Sequence, residues 1–86
     1  MSCTHLREAG NPAPQSTEGC QDCLSEGRKD WVHLRLCLEC GRVSCCDSSP
    51  RRHMSAHYET DGHPVMRSYE PGETWKWCFV DDLLGA

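Results

Sequence analysis

The sequence predicts an α+β domain, a twisted antiparallel β-sheet with one main helix over about residues 50–61. Three observations carry this. Trp31 to Leu36 and Thr74 to Val80 alternate with the two-residue period of half-buried strands. Ser49-Pro50 suits a helix start, His53 and His57 follow on one helical face, and Gly62 suits a helix end. Finally, the chain has 86 residues and a single Phe, and its mean hydropathy is −0.67. A chain of this size buries only about 60 % of its unfolded surface, so apolar packing alone leaves the fold marginal.

In chain order, Glu8 to Gly19 is rich in Gly, Pro, Asn, Ser and Thr and reads as a surface loop. In the strand from Trp31 to Leu36, the alternation turns Val32, Leu34 and Leu36 toward the core and Trp31, His33 and Arg35 away from it. Cys37 to Gly41 is a tight turn, and Arg42 to Cys46 is a returning strand. The helix starts with Ser49 as cap and Pro50 in its first turn. Pro64 to Tyr69 is a strand, Glu70 to Glu73 a turn and Thr74 to Val80 the last strand. There Trp75, Trp77 and Phe79 share one face, and Cys78 and Val80 the other. Asp82 to Ala86 reads as a short tail. With no repeat and no linker, residues 1–86 are expected to form a single domain.

The missing stabilisation is written into the cysteines and histidines. The pattern C-x2-C-x13-C-x2-C-x4-C-x7-H-x3-H-x5-H runs from Cys20 through Cys23, Cys37, Cys40, Cys45, His53 and His57 to His63. Eight soft donors at such spacings suit two closed tetrahedral zinc sites. Spacing alone leaves two points open: whether His53 and His57 share a metal, and whether Cys45 or its neighbour Cys46 is a ligand. Cys3, His5 and Cys78 remain, and Asp81, three residues after Cys78, can supply an oxygen donor to a third site. Zinc is favoured over disulfides because histidines follow the cysteine pairs and Met1 to Glu8 has no apolar leader. No stretch approaches the ~20 apolar residues of a membrane span, so a cytoplasmic protein without membrane contact is expected. A net charge of −4 argues against a nucleic-acid partner.

These residues resemble the ubiquitin-protease-type zinc finger, in particular short stand-alone bacterial members without a catalytic domain. The resemblance is carried by Cys3-Thr4-His5-Leu6, Cys20-x2-Cys23, Trp31-Val32, Cys37-x2-Cys40-Gly41, Val43-Ser44-Cys45, His53-x3-His57, Gly62-His63-Pro64 and Trp77-Cys78. It implies interleaved zinc sites, one of Cys20, Cys23, Cys45 and His53, the other of Cys37, Cys40, His57 and His63. A third would join Cys3, His5 and Cys78 to Asp81, which stands in place of the family's last cysteine. The resemblance also implies a non-catalytic module that binds the free C-terminus of ubiquitin between aromatic walls. Trp31, Trp77 and Phe79 stand at the matching positions. The family's carboxylate-binding Arg, two residues after the ligand Cys, is here Asp47, which repels a carboxylate. The expected partner is therefore a protein or peptide C-terminus, with ubiquitin itself disfavoured and Arg35, Arg51 or Arg52 as replacement cation. A purely structural zinc protein and a hydrolase at the third site are the competing expectations. Neither H-E-x-x-H nor G-x-S-x-G occurs, so no enzyme activity is expected.

Overall fold

The structure, a computed structural model, describes residues 4–49 and 51–85. Two short helices, α1 (Thr4–Glu8) and α2 (Gln21–Ser25), come first. Strands β1 (Leu34–Cys37) and β2 (Val43–Cys45) follow, then helix α3 (His53–Asp61) and strands β3 (Val65–Ser68), β4 (Lys76–Cys78) and β5 (Leu83–Gly85). The strands form one antiparallel sheet in the order β2-β1-β3-β4-β5. The predicted α+β class, antiparallel sheet and one main helix are all present.

The sheet's apolar centre is small: Leu36, Leu38, Val43, Val65 and Cys78 are buried, with Leu6, Ala9, Leu34 and Tyr69 packed around them. A second cluster consists of Cys20, Cys23 and Cys45 with Trp31 and Leu34 against it. Half of the buried residues in these two clusters are therefore cysteines.

Three expectations need correction. The helix starts at His53, not near residue 50. Arg52 stands at its N-cap in the left-handed region (φ 45°), and the Ser49 hydroxyl accepts from the Val32 N–H at 2.8 Å. Ser49 thus ties the entry of β1 to the helix approach instead of capping the helix. Pro50, expected in the first turn, lies outside the described residues. That same Ser49 bond takes Val32 out of the strand, and its side chain is exposed rather than in the core. The supposed tail forms β5, with Leu84 opposite Trp77. The expected loop before the first cysteine pair is present, flanked by α1 and α2, each only five residues long. The helix end is as predicted: Gly62 adopts φ 71° and donates to the Tyr58 carbonyl at 2.8 Å.

Candidate metal centres and an aromatic groove

Three elements aim donors at one point. Cys20 caps α2, and its sulfur accepts from the Cys23 N–H at 3.4 Å, so the Cys-x2-Cys turn wraps its own sulfur. Cys45 ends β2, and its sulfur accepts from the His53 N–H at 3.2 Å at the helix start. His53 Nδ1 then lies 3.3, 3.3 and 3.4 Å from the sulfurs of Cys20, Cys23 and Cys45, and the last two sulfurs are 3.9 Å apart. The second cluster forms around the turn after β1. His57 Nε2 is 3.5 Å from Cys40 Sγ, His63 Nδ1 is 3.5 Å from Cys37 Sγ, and the two nitrogens are 3.3 Å apart.

These separations can be compared with those of a metal. Zn–S bonds of about 2.3 Å and Zn–N bonds of about 2.05 Å give tetrahedral edges of about 3.8 Å (S···S), 3.5 Å (S···N) and 3.3 Å (N···N). Both clusters match this, and both consist of thiols and imidazoles, the donors zinc prefers. His57 Nδ1, on the far side of its ring, faces Asp61 Oδ2 at 3.0 Å. His53 Nε2 faces Glu26 Oε1 at 3.5 Å, and Arg51 donates to both Glu26 oxygens. Carboxylates so placed orient a ligand imidazole and raise its basicity.

A third group brings His5, Cys78 and Asp81 together, their ligand atoms within 4.8 Å of one another. Asp81 Oδ2 is 3.2 Å from His5 Nδ1 and 3.7 Å from Cys78 Sγ. Cys3, expected as its fourth donor, lies outside the described residues. Among the described residues Cys46 joins none of these donor groups; it is buried with its sulfur 3.6 Å from the Ser49 hydroxyl. The described cysteines form no disulfide.

A cavity of about 270 Å³ is lined by Arg35, Asp47, Met66, Trp75, Trp77, Phe79 and Leu84, among others. The Arg35 guanidinium lies 4.5 Å over the Trp75 ring and donates to the Leu34 carbonyl at 3.0 Å. Phe79 stacks on Tyr58, ring centroids 4.9 Å apart. The Asp47 carboxylate accepts from the Ser55 hydroxyl.

A family model described as "Zn-finger in ubiquitin-hydrolases and other protein" matches residues 20–83. The chain belongs to this zinc-finger family. Among solved structures it is similar to the solution NMR structure of protein RPA1320 from Rhodopseudomonas palustris. The TM-score is 0.88 and the identity 42 %, with 99 % of this chain and 81 % of that chain covered. No match was found among curated proteins.

As a zinc finger of this family, the chain is a zinc-binding module. Three of its metal-free thiols, Cys23, Cys37 and Cys45, are poor acids. Burial, together with the neighbouring sulfurs Cys20 and Cys45, pushes the Cys23 thiol well above its ordinary range. Burial likewise raises Cys37 and Cys45. His57 is pushed down, again by burial, which favours the neutral ring that a metal needs.

Of the residues singled out for a peptide pocket, the structure gathers Trp77, Phe79, Arg35 and Asp47. Trp31 is not among them. Its ring packs on the first sulfur cluster and covers Gly19, where a Cβ would collide with it. Trp75, Met66 and Leu84 complete the wall. The shared parity of Trp75, Trp77 and Phe79 signals Trp75 from sequence, whereas Leu84 becomes visible only once β5 is known.

Proposed function

We propose that this zinc finger is a non-catalytic module that binds the C-terminal segment of a partner peptide in the aromatic cavity. Zinc is its structural staple. The first ion takes Cys20, Cys23, Cys45 and His53, and the second Cys37, Cys40, His57 and His63. A third takes His5, Cys78 and Asp81 together with Cys3. A complete set of four protein donors leaves no open position for an activated water, which supports a structural role. On this reading residues 1–86 act as one unit, in the cytoplasm, without nucleic acid or membrane.

The observation that carries the binding role is the cavity in which Trp75, Trp77 and Phe79 meet one guanidinium, that of Arg35. Aromatic walls supply apolar contact at little entropic cost. An arginine stacked on Trp75 keeps its remaining N–H donors available for a carboxylate. Asp47 lines the same cavity, so a carboxylate is drawn toward Arg35 and away from the position used in ubiquitin-tail binders. This supports a partner other than ubiquitin.

Tryptophan emission during titration with acetyl-Ala-Leu-Gly-Gly tests the reading. The expected result is a saturable change for the free acid. Binding should weaken about tenfold to a hundredfold for the C-terminal amide, or for Arg35→Ala, because a charge-assisted bond contributes about 1.5–3 kcal/mol. Ubiquitin should bind more weakly than the peptide. A flat emission trace with every peptide, from zinc-loaded and folded protein, would rule the pocket out and favour the purely structural role.

A further inference from the structure

The aromatic cavity is lined by two opposite charges that do not neutralise each other. Arg35 and Asp47 both border it, yet each has its own partner elsewhere. The Arg35 guanidinium stacks on Trp75 and donates to the Leu34 carbonyl. Asp47 accepts from the Ser55 hydroxyl through one carboxylate oxygen, and among the described residues no ion pair joins it to a cation. Building on the peptide-binding reading, we infer that the cavity selects a ligand whose last residue is itself basic. The α-carboxylate of that residue meets Arg35, its aliphatic stem lies on the aromatic wall, and its cationic tip meets the second oxygen of Asp47.

Three features of the molecule support this. The first is where the charges come from. In the sheet order β2-β1-β3-β4-β5, Asp47 follows β2 and Trp75 precedes β4, with β1 and β3 between those strands. The carboxylate thus enters the cavity from the β2 side, and the guanidinium is held on the β4 side by Trp75. One residue with an anion at its backbone and a cation at the end of a long side chain complements both. A ligand ending in a neutral or acidic residue would leave Asp47 uncompensated beside the incoming carboxylate. The second is the wall. Trp77 and Phe79 line the same cavity, and long basic side chains cover aromatic surface with their stems while the charged head stays at the wet rim. Asp47 is exposed and stands at such a rim. The third is size. About 270 Å³ is a small pocket, so its discrimination falls on the end of the ligand. Glu73 is the competing acid near Arg35, but its carboxylate accepts from the buried Ser68 hydroxyl and it does not line this cavity.

The test uses four peptides with free carboxylates: acetyl-Ala-Leu-Gly-Gly and its relatives ending in Lys, norleucine or Glu. Norleucine keeps the stem of lysine without the charge. At low ionic strength the Lys peptide should bind about threefold more tightly than the norleucine peptide, the scale of an exposed ion pair. The Glu peptide should bind more weakly than either. High salt should shrink these differences. Asp47→Asn keeps an acceptor for the Ser55 hydroxyl and should bring the Lys-to-norleucine ratio close to one. Glu73→Gln should leave that ratio unchanged. Zinc content and near-UV dichroism show whether the variants keep the fold. Equal affinity for the Lys and norleucine peptides overturns the inference while leaving the pocket intact. So does a ratio that survives Asp47→Asn or is lost on Glu73→Gln. Failure of all four peptides to bind overturns the pocket and this extension together.

Discussion

The two edges of the sheet are built on opposite terms. β2 is buried at every residue and is pressed between α2 and α3, both of which carry metal donors. β5 leans on β4 alone within the sheet, and its two leucines are exposed. One edge is cross-linked through sulfur and imidazole; the other rests on backbone pairing and a few side-chain contacts. A small domain can thus concentrate its stability on one side and leave the other as a surface for a ligand, as folds generally assign their least stable parts to binding.

Removing the metal breaks this comparison most severely. Excess chelator, or Cys45→Ser, should abolish the near-UV dichroism of the whole domain, because each structural zinc contributes on the order of 10 kcal/mol, comparable to the entire stability of such a fold. Retained tertiary signal in chelator would show that the β2 edge does not depend on metal. Acid should act in the same direction more gradually. The raised thiols of Cys23, Cys37 and Cys45 must each give up a proton to zinc, so zinc-bound stability grows with pH toward the free-thiol value of about 8.5 and falls as pH drops. The lowered imidazole of His57 adds the same sign. Its contribution is full above its unfolded value of about 6.5 and is lost as pH falls through the lowered folded value. Denaturant midpoints should therefore decline from pH 8 to pH 5.

Two leucines sharpen the contrast at smaller scale. Leu36→Ala on β1 empties a fully buried site and should cost about 2–5 kcal/mol by denaturant unfolding. Leu84→Ala on β5 should stay within about 0.5 kcal/mol. Asp81→Ala is expected to act locally, through the third donor group alone. It should lower the zinc count from three to two per chain, with faster amide exchange confined to α1, β4 and β5. An unchanged count would exclude Asp81 as a ligand.

What the sequence disclosed follows the same division. Donors at short spacings and the alternation of Trp75, Trp77 and Phe79 are local signals, and the resemblance to a known family divided the donors into two sets. The four-donor groups of the structure coincide with that division. The misread features depend on partners distant in sequence. Ser49 looks like a cap until Val32 claims its hydroxyl. The segment after Asp82 looks like a tail because three residues carry no period, and pairing with β4 makes them a strand. α2 is too short to form by propensity alone and is shaped by the two sulfurs of its own turn. Trp31 has the composition of a binding residue but lies against the first cluster, which the strand parity could not reveal.

Helix α3 has nine residues, and its His53 and His57 belong to different clusters. A displacement of this turn of helix moves a donor of each cluster at once. Fraying of α3 should therefore loosen both donor groups together, which makes this one turn the shared weak point of the two clusters.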